Sequence, residues 1–169
     1  NVSFYNETEG RAIQPTPAIG AVGVLADTDA AANLAFAGDG DTIILIGETT
    51  GHMGASLFLR EIAGSEAGAP PPVDLVAERA NGDLVRSLIS AKRGRTCHDI
   101  SDGGLAVALA EMALAGDMGC DIAPPADGPG LNLWLFGEDQ GRYLVTTDDP
   151  DGVLAAAADD GVSAHAIGR

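Results

Sequence analysis

The chain has 169 residues, with 25 acidic against nine basic side chains, a formal charge of −16, 46% hydrophobic residues and 23 glycines. That length accommodates one domain of ordinary size with a sizeable core, and so acidic a surface excludes nucleic acid, whose binding needs clustered cations. No apolar run approaches the roughly 18 residues of a bilayer span, and the N-terminus shows neither a basic region nor a cleavable apolar core, so the expected location is cytoplasmic.

The same charge would repel a free nucleoside triphosphate unless Mg²⁺ and local N–H donors offset it. Cys97 and Cys120 stand far apart with no CxxC spacing, which predicts buried, reduced thiols. A chain that opens on Asn1 and stops at Ile167-Gly168-Arg169 reads as a fragment of a longer polypeptide.

In chain order, a polar-aromatic segment, Asn1-Val2-Ser3-Phe4-Tyr5-Asn6-Glu7-Thr8, comes first. Gln14-Pro15-Thr16-Pro17 follows and is expected to be extended, because proline fixes φ and restricts its neighbour. The small and branched apolar run over 18–25 predicts a buried strand, and 27–37 a weak helix ending at Gly38-Asp39-Gly40-Asp41. Thr42-Ile43-Ile44-Leu45-Ile46-Gly47 is the clearest strand, a β-branched run bounded by turn residues.

A turn-rich loop, Glu48 to Gly54, leads to a helix near 55–63 and then a loop with three consecutive prolines. Apolar residues at Val73, Val76, Leu84, Leu88 and Ile89 predict a helix over 73–93, with Asn81-Gly82 as an expected interruption. Arg95–Asp99 is a short strand and Leu105–Ala115 a helix with Leu105, Ala108, Leu109 and Met112 on one face. After the Pro/Gly loop Pro124–Gly130 come Leu131–Phe136, a strand over Arg142–Thr147, an alanine-rich helix over 151–160 and a last strand over Val162–Ile167. Alternating strands and helices predict an α/β (or α+β) fold with a mixed sheet and flanking helices.

His98-Asp99-Ile100-Ser101-Asp102-Gly103-Gly104-Leu105 carries the most chemistry. A glycine turn feeding a helix N-terminus offers unpaired backbone N–H groups and the positive end of a dipole, where a phosphate can sit. Asp99 and Asp102 beside it are suited to Mg²⁺. Equally, Ser101 or Asp102 caps the helix and the glycines only permit a tight strand-to-helix turn.

Three separated segments together resemble one family: NVSFYNETEGRAIQPTPAIGAVG (1–23), HDISDGGLAVALAEM (98–112) and LFGEDQGRYLV (135–145). They are similar to the large synthetase subunit of phosphoribosylformylglycinamidine synthase, of the small bacterial and archaeal type. The glycine turn alone points only to a wider superfamily that includes aminoimidazole ribonucleotide synthetase, thiamine-monophosphate kinase, selenophosphate synthetase and a hydrogenase maturation protein. The FYNET segment and the PTP after it narrow the resemblance to the synthase.

By that resemblance the fold has an aminoimidazole-ribonucleotide-synthetase-like C-terminal domain. Residues 1–38 are the tail of a second ATP-binding-type domain, and 39–169 a truncated C-terminal-type domain. The reaction implied is ATP-dependent conversion of formylglycinamide ribonucleotide, with glutamine-derived ammonia, to the amidine in purine biosynthesis. ATP phosphorylates the amide oxygen and ammonia displaces the phosphate. ATP is the substrate and Mg²⁺ the metal.

Implied partners are a glutaminase subunit, a small accessory subunit and the missing N-terminal half of the same subunit. The family's catalytic histidine belongs to that half, so the resemblance implies no catalytic residue here and an inactive fragment. Asn1 would be a Mg²⁺ ligand, Ser3 a substrate-binding residue, and Asp99, Ser101, Asp102, Gly103 and Gly104 the nucleotide or phosphate-side turn. Glu138-Asp139-Gln140 resembles a loop whose counterpart in the first tandem copy contacts substrate, and is expected to be structural here. The competing readings are a non-catalytic nucleotide-binding or scaffolding domain and another superfamily member such as thiamine-monophosphate kinase.

Overall fold

A four-stranded sheet organises the chain, because its two central strands are buried on both faces. The computed structural model describes residues 6–13, 19–25 and 27–169. Two short strands, β1 (Glu7–Thr8) and β2 (Arg11–Ala12), form an exposed hairpin. The main elements are β3 (Thr42–Ile46), α1 (Leu57–Glu61), α2 (Leu75–Ser90), β4 (Thr96–Ile100) and α3 (Gly104–Gly116), then α4 (Leu131–Phe136), β5 (Arg142–Thr147), α5 (Pro150–Asp159) and β6 (Ala164–Gly168).

The strand order is β4-β5-β3-β6. Ile44 pairs with Val145 across β3 and β5, and His98 with Leu144 across β4 and β5. Every named ladder is antiparallel, and among the described residues parallel pairing is confined to the single bridge Asn33–Thr96.

Period-2 alternation along β3 divides the core. Ile43 and Leu45 face α3 and α4, where they meet Leu105, Leu109, Met112 and Trp134. Ile44 and Ile46 face the opposite way, against Leu84 and Leu88 of α2 and Val153 of α5. A strand covered on both sides has no solvent face, so it reads as a continuous apolar run. The four residues expected on one face of α3 are all buried.

Three expectations are corrected. Residues 19–25 form no strand and are exposed: Ile19 is 89%, Val22 99% and Val24 96% accessible. A strand needs a neighbour to take its backbone hydrogen bonds, and among the described residues none lies beside this run. The 27–37 segment forms only a short 3₁₀ turn, Thr28–Ala30, capped by the Asp27 carboxylate on the Asp29 amide.

Nor is α2 interrupted at Asn81-Gly82. Asn81 Nδ2 donates to the Gly141 carbonyl at 2.9 Å, and the Tyr143 hydroxyl lies over Gly82, 3.7 Å from where a Cβ would stand. Tertiary contacts thus outweigh weak local propensity. The unassigned stretch 131–136 proves to be α4, which buries Trp134. Residues 14–17 and Ala18 lie outside the described residues, so their expected conformation goes untested.

Both cysteines are free and partly buried. Burial pushes the Cys97 thiol up to about 11, with Asp99 adding to the effect, and raises Cys120 as well. No helix among the described residues is long and apolar enough to cross a membrane.

Candidate functional site

The octet sits where β4 ends and α3 begins. Gly103 and Gly104 both adopt positive φ, +81° and +70°. A Cβ on Gly103 would lie 2.4 Å from Val107 Cγ2, and one on Gly104 would lie 2.6 Å from the Gly137 carbonyl oxygen. Glycine is required at both positions by conformation and by space. The turn is therefore pressed against the end of α4.

Both glycine amides already have acceptors. Gly104 N–H donates to the Ser101 carbonyl at 3.1 Å. Gly103 N–H donates to Glu138 Oε1 at 2.8 Å, and the same oxygen accepts the Leu57 N–H at the start of α1, also at 2.8 Å. Ser101 and Asp102 make no side-chain cap on α3, whose N-cap is Gly103.

The side chains of the turn are more open. Ser101 Oγ donates to Asp99 Oδ2 at 2.6 Å. His98 Nδ1 lies 3.4 Å from Asp99 Oδ1, while its Nε2 meets Glu111 Oε2 on α3 at 2.8 Å. The Ser101 hydrogen bond, helped by the backbone and by His98 against partial burial, holds the Asp99 carboxyl below the usual range. Asp99 and Asp102 line a 350 Å³ groove together with Glu78, Ser101, Glu138 and Tyr143.

Four carboxylates on one groove suit a ligand that arrives with a cation, and repel a bare anion. Their oxygens fit Mg²⁺ by donor type. Among the described residues, however, no group of three or more His, Cys, Asp or Glu is placed to hold a metal.

The 138–140 loop ties this turn to the loop after β3. Asp139 is buried and accepts from Thr50 Oγ1 at 2.5 Å and Gly51 N–H at 2.9 Å, with His52 N–H at 3.4 Å. Burial alone would raise its pKa; the Thr50 and Gly51 bonds and the charge of Arg142 outweigh it and lower the carboxyl below its ordinary value.

Arg142, only 1% exposed, donates from Nε to the Asp139 carbonyl, from Nη1 to Thr49 Oγ1 and from Nη2 to the Gly137 carbonyl, at 3.1, 3.1 and 2.6 Å. Nothing in the sequence pattern marked Arg142 beyond its place at the start of an apolar strand, three residues after an aspartate. His52 Nε2 pairs with the Ala69 carbonyl at 2.9 Å, so both His52 and His98 tie structural elements together.

Asn1 and Ser3 lie outside the described residues. The structure thus gathers Asp99, Ser101, Asp102, Gly103 and Gly104 at one turn, and adds Glu138 to them.

Residues 38–169 match the family described as AIR synthase related protein, C-terminal domain. The phosphoribosylformylglycinamidine synthase subunit PurL of Methylocella silvestris is 58% identical over 171 residues, which cover all of this chain and 23% of that protein. The chain therefore spans under a quarter of the length of such a relative. The structure of Thermotoga maritima PurL complexed with FGAR aligns with a TM-score of 0.71 at 21% identity, covering 84% of this chain and 26% of that one. The Thermotoga maritima PurLQS structure aligns at 0.64 and 15% identity, over 84% of this chain and 24% of that one. At these identities the structural likeness concerns the fold.

Proposed function

Because the chain belongs to the AIR synthase related C-terminal domain family, we propose that it serves as the second C-terminal-type domain of a phosphoribosylformylglycinamidine synthase subunit. One observation carries this reading: 58% identity to a PurL subunit along the entire chain. In this reading residues 1–38 are the tail of the preceding ATP-binding-type domain and 39–169 the domain itself.

The whole enzyme would convert formylglycinamide ribonucleotide, ATP and glutamine-derived ammonia to the amidine, with a glutaminase subunit and a small accessory subunit as partners. Phosphoryl transfer demands that the phosphate charge be neutralised in line with the displacement. Bound Mg²⁺ would supply that charge. Asn1 would offer it an amide oxygen, an acceptable donor for a hard cation, and Ser3 would hydrogen-bond the ribonucleotide.

Asp99, Ser101 and Asp102 would offer oxygens on the nucleotide side, on a turn shaped by Gly103 and Gly104. The acidic groove supports a cation-borne ligand there, since free polyphosphate would meet four carboxylates. No residue of this chain is assigned a proton transfer.

The test uses a Methylocella silvestris PurL subunit in which this segment replaces the aligned region. Ser3→Ala is expected to raise the KM for the ribonucleotide by about 10-fold or more. Asn1→Ala should raise the Mg²⁺ concentration that gives half the maximal rate. Neither variant should move Tm. Unchanged KM and Mg²⁺ dependence would remove both residues from the site.

A further inference from the structure

The Glu138 carboxylate contacts the glycine turn in the manner of a bound anion. Two amides from different elements, Gly103 N–H before α3 and Leu57 N–H at the head of α1, converge on its single oxygen Oε1 at 2.8 Å each. Among the described residues neither amide has another acceptor. The Ser56 hydroxyl is spent on Leu59 N–H, and the Ser101 carbonyl on Gly104 N–H.

Converging amides at a glycine turn are the arrangement that elsewhere receives a phosphate oxygen. Here the oxygen belongs to the chain itself. A 190 Å³ cavity bounded by Ser56, Leu57, Arg60, Glu66, Asp102 and Glu138 reaches this carboxylate. Among the described residues its one cation, Arg60, is paired with Glu61 at 2.8 Å. A second anion entering would meet Glu66, Asp102 and Glu138 together, at like-charge cost.

We propose that Glu138 is a built-in anion that closes the glycine turn of this domain to external phosphate. Ligand contact at the turn then runs through the Asp99, Ser101 and Asp102 side chains and not through the Gly103 amide. The inference deepens the reading above and rests on it only for the identity of the ligand. The occupied amides stand independently of that reading.

The experiment is chemical rescue of the chain's own stability. Glu138→Ala removes the carboxylate and leaves both amides facing a small cavity, and should lower Tm by about 5 °C. Formate, titrated to about 200 mM, where the Debye length is roughly 7 Å, should restore at least half of that loss. Chloride at equal ionic strength should not.

Wild type and Glu138→Gln, whose side-chain oxygen still fills the site, should respond to formate no more than to chloride. If Glu138→Ala is unfolded in buffer, formate-dependent recovery of its circular dichroism is the same readout. An equal response of all three proteins, or no recovery of Glu138→Ala by formate, would overturn the proposal. Loss of activity in the grafted subunit would strike the proposed function and leave this result untouched.

Discussion

Gly104→Ala is expected to destabilise the chain by about 4 kcal/mol, enough to leave a marginally stable domain largely unfolded. The left-handed backbone at φ +70° costs an L-residue about 1–2 kcal/mol. The rest comes from contact. A Cβ there stands 2.6 Å from the Gly137 oxygen, 2.9 Å from the Leu135 oxygen and 2.9 Å from the Phe136 carbonyl carbon, and all three are backbone atoms that no rotamer change can move.

Relief requires α3 to withdraw from α4, which uncovers the buried Trp134. Gly40 provides the control, since its φ is +82° but no atom of the described residues lies within 4 Å of the added carbon. Gly40→Ala should lose only about 1 kcal/mol in urea denaturation. Equal losses in the two variants would show that close packing at the turn is unimportant.

Arg142→Met should cost about 3 kcal/mol, although methionine fills much of the same volume. Arginine at this position satisfies two buried carbonyls and the Thr49 hydroxyl, and its charge faces Asp139. Methionine leaves those acceptors unpaired in a region without bulk water. Burial lowers the Arg142 pKa against the pull of Asp139, from so high an ordinary value that the group is cationic at neutral pH.

The same pair sets a pH dependence with a definite sign. Asp139 has a folded pKa below its ordinary value of 3.8. Its contribution is therefore complete above that value and is lost as pH falls through the lower, folded pKa. Wild-type stability should thus fall more steeply below pH 4 than that of Asp139→Asn, which carries no titrating group there. Parallel curves would show that Asp139 adds nothing through its charge.

Much of this fold was legible because strong local patterns and tertiary demands agree. The β-branched run 42–46 could be little other than a strand, and the spacing of Leu105, Ala108, Leu109 and Met112 gave the buried face of α3. Where the two disagree, the sequence misled. Asn81-Gly82 looks like a break until Gly141 and Tyr143 are brought above it from 60 residues away. The apolar run 19–25 has strand composition, yet strand formation depends on a neighbour that composition cannot supply.

The candidate site divides in the same way. The octet's turn geometry followed from its two glycines, but the partner of the Gly103 amide did not. Glu138 lies 35 positions away and announced itself only as part of an acidic loop, with no spacing rule linking it to Gly103 or Leu57. Arg142 was hidden because a buried arginine is identified by the carbonyls around it, and these come from the backbone, which every sequence contains.

We hold this segment to be a working part of a phosphoribosylformylglycinamidine synthase subunit. The most direct test is ammonia- and ATP-dependent amidine formation by the Methylocella silvestris subunit carrying the segment in place of its own aligned region. The graft is expected to turn over within about 10-fold of the parent, a difference of roughly 1.4 kcal/mol in the barrier, while the free 169-residue chain shows no turnover. A graft that folds, with the parent's Tm and circular dichroism, yet forms no amidine would contradict the claim.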